Sequence, residues 1–134
     1  MTRQRKLRER CGVCASSRTL CLGDGGPRIV LKTRIALIIH HRELSRNSNT
    51  GLLALKALVN SAVRIRGEGR EALDLQELLD SEYRTFLFFP CADAVELDRA
   101  LVSEENRPIQ LIVPDGTWRQ AKKILSRHPG LKEL

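Results

Sequence analysis

The segment Pro114-Asp115-Gly116-Thr117-Trp118 joins two patterned parts of the chain and carries its strongest structural signal. An apolar run, residues 109–113, comes before it, and residues 119–128 after it repeat apolar side chains at helical spacing. This order predicts a buried strand, a turn and then a helix that begins near Thr117. Ligands of open α/β sheets bind outside the carboxyl ends of the strands. The pattern therefore predicts that Asp115 lies at a ligand-binding edge.

Outward from this segment, apolar runs alternate with helical spacing along the rest of the chain. Three more runs predict strands, at residues 35–39, 63–66 and 85–89. Helices are predicted over residues 52–62, 73–79, 94–102 and 117–127, with Ser48 or Asn49 as cap of the first and Asp93 as cap of the third. This alternation predicts an α/β fold with a mostly parallel sheet and helices on both faces.

Three of the predicted strands end in polar or aromatic residues. These ends are His40-His41, Phe89-Pro90-Cys91 and Pro114-Asp115. Because the carboxyl ends of parallel strands meet at one edge of the sheet, the sequence predicts a pocket there. Phe86 and Phe88 are expected to pack in the core, and Trp118 is a candidate core residue.

Length and composition favour one domain, which we place at residues 28–134, after a basic and glycine-rich arm at residues 1–27. The net charge of +7 favours an anionic partner. The arm is either a nucleic-acid contact or a solvated terminus. Its cations, and those on the outer face of the last predicted helix, are the candidates for RNA binding: Arg3, Arg5, Lys6, Arg8, Arg119, Lys122 and Lys123.

Neither a targeting segment nor a membrane helix is visible in the sequence. The cations of the first ten residues are not followed by an apolar stretch, and the apolar runs are far shorter than the roughly 20 residues that a membrane helix needs. A cytoplasmic location is therefore the default expectation.

Three cysteines of the arm have the spacing of metal ligands: Cys11, Cys14 and Cys21. Two thiolates in a Cys-x-x-Cys turn can bind one zinc ion, and a closed structural site needs four ligands. The sequence therefore leaves two alternatives for this cluster. Either water or an outside ligand completes a three-cysteine zinc site, or the cluster is a relic that binds no metal.

The words Asp115-Gly116-Thr117-Trp118 and Gln120-Ala121-Lys122 resemble the DTW-domain family of tRNA-uridine aminocarboxypropyltransferases, which is related to the SPOUT class of folds. The resemblance covers about residues 11–134. It implies S-adenosylmethionine as donor, tRNA as partner, and transfer of the 3-amino-3-carboxypropyl group to N3 of a uridine. It also implies Asp115 as the base that removes the N3 proton.

The resemblance extends to other residues of the predicted edge. His40 and Glu43 match a family motif, His-Pro-x-Glu, in which His41 replaces proline, and Asn49-Thr50-Gly51 matches the segment that follows it. The resemblance implies a cofactor pocket formed by both motifs and the strand end between them: His40, Glu43, Phe89, Pro90, Asp115, Gly116, Thr117 and Trp118.

The chain also departs from the family pattern. Glycine stands at position 23, where family members carry a fourth cysteine. Family members continue with another strand and helix after the point that corresponds to Leu134, so we expect the C-terminal part of the family fold to be absent from this chain. Two other functions remain open, a non-catalytic RNA-binding module and a SPOUT-like RNA methyltransferase.

Overall fold

A computed structural model describes Cys11, Cys21 and residues 25–46, 49–67, 73–79 and 82–134. The cations Arg3, Arg5, Lys6 and Arg8, together with Cys14 and Ser48, lie outside these residues, so the hypotheses about them stay predictions. The elements are β1 (Arg34–His40), α1 (His41–Leu44), α2 (Gly51–Ala57), β2 (Ser61–Arg66), a 3₁₀ helix (Gln76–Leu78), β3 (Arg84–Leu87), α3 (Arg99–Ser103), β4 (Ile109–Asp115), α4 (Trp118–Arg127) and a second 3₁₀ helix (Pro129–Lys132).

The described strands form one parallel sheet in the order β2-β1-β4-β3. The register places Ile38 of β1 opposite Arg64 of β2 on one side and Pro114 of β4 on the other. The two central strands, β1 and β4, are the most apolar of the four, as expected for strands that are covered on both faces. The predicted parallel α/β architecture is confirmed.

Helices α2 and α4 lie on opposite faces of the sheet. On one face, Ile124 and Leu125 of α4 pack in the main core with Ala36, Ile38 and Ile112 of the central strands. On the other face, the start of α2 lies against Leu37 of β1. Helices therefore cover both faces, as predicted. None of the helices in the described ranges combines the length and the apolar character that a membrane crossing requires.

The junction of β4 and α4 follows the predicted order of strand, turn and helix. Gly116 adopts a φ of 148°, a conformation that favours glycine. Thr117 caps α4, since its Oγ accepts a hydrogen bond from the Gln120 backbone N–H at 3.4 Å. The Gln120 side chain accepts one from the Thr117 N–H at 2.6 Å, which completes a capping box. The turn that holds Asp115 is therefore fixed at both ends.

The sequence predicts that β4 ends at Pro114. In the structure, the strand continues one residue further and ends at Asp115. A proline cannot donate a hydrogen bond within a sheet, so it is usually confined to positions with an open side. Strand β3 pairs with β4 only as far as Ile112, and Pro114 therefore has a paired neighbour only in β1. The added length brings Asp115 into the sheet opposite Ile39.

Helix α2 is shorter than predicted, because it ends at Ala57 and not near Ala62. The Ser61 hydroxyl donates hydrogen bonds to the carbonyl oxygens of Leu55 at 3.2 Å and Leu58 at 2.8 Å. These bonds satisfy carbonyl groups at the end of the helix, and β2 begins at the same serine.

The prediction of a helix over residues 94–102 with Asp93 as its cap is wrong. Helix α3 spans Arg99–Ser103, and its cap is Asp98, whose Oδ1 accepts a hydrogen bond from the Leu101 N–H at 2.8 Å. Residues 91–98 form no helix and are exposed. The apolar spacing of this segment is therefore misleading, since its side chains line a surface groove.

Phe88 and Trp118 are not core residues, with 57% and 65% of their surface exposed. Phe88 follows the end of β3, an edge strand, so in the described residues it has β4 as a neighbour on one side and no strand on the other. Trp118 lies in the first turn of α4, ahead of the turns whose apolar side chains pack in the core. Both aromatic rings are therefore available at the surface.

Candidate functional site

The carboxyl ends of β1 and β4 form the natural binding point of this sheet. These strands are adjacent, and the helices that follow them lie on opposite faces. Such a reversal opens a crevice at the carboxyl edge, where ligands of α/β proteins bind. His40 ends β1, Glu43 follows it in α1, and Asp115 ends β4. The structure thus brings three predicted site residues to one edge.

Asp115 is partly buried and lies directly against Gly51, the first residue of α2. A side chain at position 51 would collide with Asp115 Oδ2 and would lie 3.2 Å from Asn49 Oδ1. Asp115 Oδ2 is buried without a hydrogen-bond partner in the described residues. Burial and the nearby Glu43 carboxylate raise the pKa of Asp115, and a hydrogen bond from the Gly116 N–H acts against this effect. The site therefore contains a carboxylate with enhanced basicity.

Glu43 is the second carboxylate of this edge and is only 8% exposed. Its Oε2 forms an ion pair with Arg46 Nε at 3.3 Å, whereas its Oε1 is buried without a partner in the described residues. Asn49 fixes the local backbone, since its Nδ2 donates to the Glu43 carbonyl at 3.1 Å and its Oδ1 accepts from the Leu52 N–H at 3.3 Å. Asn49 thereby connects α1 to α2 beside both carboxylates.

His40 and His41 lie on the other side of the β1 end. Their rings stack with centroids 4.6 Å apart, and His40 Nδ1 accepts a hydrogen bond from the Arg42 N–H at 3.3 Å. Burial lowers the pKa of His40, and the neighbouring His41 and Arg66 lower it further. His40 is therefore favoured as a neutral imidazole in the free chain.

Gly67 allows β2 to end close to these rings. It has a φ of 84°, and a Cβ at this position would lie 2.8 Å from His41 Nδ1 and 3.5 Å from His40 Nε2. Arg66, which precedes it, pairs with His40 across the sheet and is 8% exposed. The end of β2 therefore belongs to the same edge.

Two grooves lie near the predicted cofactor residues. The larger has a volume of about 650 Å³, and Phe89 and Pro90 belong to its mostly apolar lining, together with Leu97 and Leu101. The smaller, about 450 Å³, is lined by Trp118, Arg119, Lys122, Lys123 and Ser126. The rings of Phe89 and Trp118 meet edge to face with centroids 5.7 Å apart, and this contact lies between the two grooves.

The predicted site residues thus fall into two groups. Phe89, Pro90 and Trp118 line the grooves, whereas His40, Glu43 and Asp115 line neither of them. Gly116 and Thr117 form the connection between the groups, and the Thr117 hydroxyl is engaged in the helix cap. The three residues of α4 that are candidates for RNA binding, Arg119, Lys122 and Lys123, are exposed, as the helical spacing predicts.

The cysteines give no support for a zinc site. Cys11 and Cys21 are partly buried, Cys91 is exposed, and Cys14 lies outside the described residues. The described part of the chain contains no group of three or more histidine, cysteine or acidic side chains arranged to hold a metal ion. The zinc hypothesis for the arm stays a prediction.

The sequence alone does not indicate a role at this edge for Arg66 or Gly51. The alternation of residues 63–66 identifies a strand, but it does not indicate that this strand pairs with β1 and ends beside His40. Gly51 stands in the segment Asn49-Thr50-Gly51, and the only hint of a close contact there is that glycine has no side chain. Its role depends on the contact with Asp115, which lies far away in the sequence.

Comparison with known proteins points to one family. The DTW domain family matches residues 8–134. The chain is 30% identical over 135 residues to tRNA-uridine aminocarboxypropyltransferase 2 of Drosophila melanogaster, a match that covers 95% of this chain and 52% of the relative. It is 27% identical to the protein of the same name from Macaca fascicularis, with 96% and 47% covered. The mouse protein of that name is 28% identical, with 90% and 42% covered.

The chain spans about half the length of the curated relatives it matches. No solved structure matches it significantly. The family match includes nearly the whole chain and all the described residues that form the carboxyl edge of the sheet. This chain belongs to the DTW domain family.

Proposed function

We propose that this chain forms part of a tRNA-uridine aminocarboxypropyltransferase and that Asp115 is its catalytic base. The reaction would transfer the 3-amino-3-carboxypropyl group of S-adenosylmethionine to N3 of a uridine in tRNA. The observation that carries the proposal is the position of Asp115, a partly buried carboxylate with a raised pKa at the crevice of a parallel sheet. The names of the relatives supply the reaction class.

The proton chemistry explains why the reaction needs such a carboxylate. The neutral imide of uridine is a weak nucleophile, so its N3 proton must leave as N3 attacks the donor carbon. The N3–C bond forms, the bond from that carbon to the sulfonium sulfur breaks, and the sulfur departs as a neutral thioether. The proton passes to Asp115, and its raised pKa makes the carboxylate a better acceptor. Because Gly51 encloses Oδ2, Oδ1 is the oxygen assigned to receive the proton.

The charge of the same edge favours the proposed donor. S-Adenosylmethionine supplies a sulfonium, which makes the attacked carbon electrophilic. Glu43 Oε1 and Asp115 Oδ2 are buried carboxyl oxygens without hydrogen-bond donors in the described residues. Two such carboxylates favour a positively charged group beside them, because an opposite charge lowers the cost of their burial. Phe89 and Pro90, in the apolar groove, are the residues we assign to the adenosine.

The surface of α4 provides a route for RNA to the same edge. Arg119, Lys122 and Lys123 are exposed beside Trp118, and all four line the smaller groove. Exposed cations bind the RNA backbone through its phosphates, independently of sequence. The target uridine must leave its stack to reach a base at the sheet edge, as enzymes that modify nucleobases require. We assign these α4 side chains to the flanking backbone.

The decisive experiment compares Asp115→Asn with Asp74→Asn. Asp74 is exposed and lines neither groove, and asparagine can still accept the hydrogen bond from the Gln76 N–H, so its replacement is a matched control. The chain is incubated with S-adenosylmethionine and tRNA, and the modified nucleosides are identified by mass spectrometry. We expect Asp115→Asn to lower the transfer rate by about 10²–10⁴-fold with little change in donor affinity, and Asp74→Asn to retain the rate. Equal rates for both variants would contradict the assignment of Asp115.

One observation favours a second function, a non-catalytic RNA-binding module. Asp115 lines neither groove, whereas the exposed cations of α4 surround one of them. The two functions differ in their ligands. Calorimetry that detects salt-dependent tRNA binding but no binding of S-adenosylmethionine would support the module and contradict the transferase. A methyl group on the treated tRNA would instead identify a methyltransferase.

A further inference from the structure

Arg66 stands apart from the other charged side chains of the sheet. Three polar or charged residues are buried in the described part of the chain: Glu43, Arg66 and Gln110. Glu43 has an ion pair with Arg46, and the Gln110 amide donates a hydrogen bond to Thr85 at 3.1 Å. The Arg66 guanidinium forms no hydrogen bond and no ion pair in the described ranges. A buried cation without an acceptor is a costly arrangement, since water no longer solvates it fully.

The surroundings of Arg66 are cationic. Burial and the nearby Arg127 lower the pKa of Arg66. Burial also lowers the pKa of His128, and Arg66 and Arg127 lower it further. His40 lies opposite Arg66 in the sheet. One carboxylate, Glu43, opposes this positive charge, since it raises the pKa of His40. Glu43 already forms an ion pair with Arg46.

The backbone at the end of β2 lies close to the two histidines beside Arg66. Gly67 follows it with a φ of 84°, and a Cβ at that position would press on both His40 and His41. The imidazole atom His41 Nδ1 is buried without a partner in the described residues. The chain has three histidines, and all of them lie in or beside this group.

We propose that Arg66, His40, Arg127 and His128 form an oxyanion pocket that binds a phosphate group of the RNA substrate. This inference rests on the proposed function for the identity of the RNA. A guanidinium is planar and presents several N–H donors in a fixed arrangement, which matches the oxygens of a phosphate. The neighbouring imidazoles and Arg127 add further donors. A bound phosphate would supply the negative charge that the described residues do not provide.

The position of the pocket explains how it would serve the reaction. It lies at the end of β2, next to the end of β1, whereas Asp115 lies on the other side of β1 at the end of β4. A phosphate held at Arg66 would fix the RNA backbone at one point of the edge. The target base could then reach the carboxylate on the opposite side of the same strand end.

The first test uses inorganic phosphate as the probe and thermal unfolding as the measurement. Arg66→Met removes the charge and keeps a long side chain. Arg64→Met is the matched control, because Arg64 lies on the same strand and forms an ion pair with the exposed Glu77. At about ten times its Kd, phosphate should raise the melting temperature of the unaltered chain and of Arg64→Met by roughly 3–6 °C relative to chloride of equal ionic strength. The rise should be absent in Arg66→Met.

The same rise in Arg66→Met as in the unaltered chain would overturn the pocket. If Arg66→Met does not fold, Arg127→Ala takes its place, since Arg127 is exposed on α4 and its loss leaves the sheet intact. That variant should lose at least half of the rise, and a full rise would again overturn the proposal.

The second test identifies the source of the phosphate. Binding of a fluorescent single-stranded oligouridylate should weaken by about tenfold or more in Arg66→Met and by less than about threefold in Arg64→Met. Donor affinity, measured by calorimetry with S-adenosylmethionine, should be equal in both. Unchanged RNA affinity in Arg66→Met overturns the assignment to RNA, and a selective loss of donor affinity would reassign the pocket to the donor carboxylate.

The outcome does not depend on transfer activity. The phosphate measurement needs no donor and no tRNA, so its failure would leave the role of Asp115 untouched. If the unaltered chain transfers no group to tRNA while phosphate still raises its melting temperature, only the proposed function is contradicted.

Discussion

Two sides of one strand end differ in charge. On the side of β4, the end of β1 faces the carboxylates of Glu43 and Asp115, each with one oxygen that lacks a partner in the described residues. On the side of β2, it faces Arg66, which has no acceptor in the same ranges. The exposed ion pairs of the sheet differ from both, since Arg64 contacts Glu77 and Arg84 contacts Glu104. In the described residues, Asp115 and Arg66 have no ion-pair partner, whereas these two arginines of the sheet do.

This difference is typical of a binding edge. A chain that were selected for stability alone would pair these buried charges or replace them with apolar side chains. Proteins retain such arrangements where function requires them, and stability is reduced as a consequence. The acidic side suits a cationic group, and the cationic side suits an oxyanion. The following predictions test the two sides separately.

The largest expected effect on stability comes from Gly51→Ala, which fills the contact between α2 and the acidic side. The added methyl group would collide with the Asp115 carboxylate. We expect a loss of about 1–3 kcal/mol in the free energy of unfolding, measured by urea denaturation, because overpacked sites must shift their neighbours. Gly130→Ala is the control, since its Cβ would meet no atom within 4 Å. Equal effects of the two substitutions would contradict the close contact.

The next prediction concerns the stability of Asp115→Asn. Because burial and Glu43 raise the pKa of Asp115, the folded chain holds the proton more tightly than the unfolded chain. The free energy of unfolding therefore falls as the pH rises from the aspartate pKa of the unfolded chain to the raised pKa of the folded chain. At higher pH it stays at the reduced value. Asp115→Asn should be more stable than the unaltered chain at neutral pH, by on the order of 1 kcal/mol.

Urea denaturation between pH 4 and 8 measures this gain, which should shrink as the pH falls toward about 4. A variant that is less stable at neutral pH would assign Asp115 a structural role. A gain in stability together with a loss of transfer would separate a catalytic group from a packing group.

A smaller effect is expected from Thr117→Ala, which removes the cap at the turn that holds Asp115. The lost hydrogen bond to the Gln120 N–H should cost about 1 kcal/mol of stability. Ser126→Ala is the control on the same helix, because its hydroxyl donates only to the Lys123 carbonyl within the helix. Urea denaturation should find the control within about 0.5 kcal/mol of the unaltered chain. A larger loss in the control would contradict the importance of the cap.

The smallest effect is expected from Lys122→Ala, which tests exposed cations against the buried Arg66. Its stability should stay within about 0.5 kcal/mol of the unaltered chain. The slope of log K against log salt for single-stranded RNA should decrease by about 0.7 if Lys122 neutralises one phosphate. Lys56→Ala, on α2, is the control and should leave the slope unchanged. Equal slopes for both variants would contradict the assignment of Lys122 to the surface that binds RNA.

The part of the fold that depends on local chemistry could be predicted from the sequence. The junction of β4 and α4 needs a glycine for its turn and a threonine with a glutamine three residues later for its cap, and all three are visible in the chain. The apolar runs of β1 and β4 likewise indicate strands that are covered on both faces, because such strands are apolar throughout. The convergence of His40, Glu43 and Asp115 follows from the parallel topology.

Features that depend on individual side-chain hydrogen bonds, or on contacts between distant parts of the sequence, could not be predicted. The early end of α2 is set by Ser61, whose hydroxyl binds helix carbonyl groups, and apolar spacing does not report such bonds. The prediction of a helix at residues 94–102 is wrong because the apolar side chains of this segment line a surface groove. Arg66 remained without a role because the sequence does not specify which strand lies beside β1.

The central position of β4 has a consequence for how the chain folds. Of the described strands, β3 pairs with β4 alone, β1 pairs with β4 on one side and with β2 on the other, and β4 is the last of the four to be synthesised. Its pairing with β1 joins parts of the chain that are far apart in sequence, and such topologies fold slowly because a large loop must close first. A nascent chain that lacks β4 would leave one side of the apolar β1 open to aggregation, so chaperone dependence during synthesis should be high.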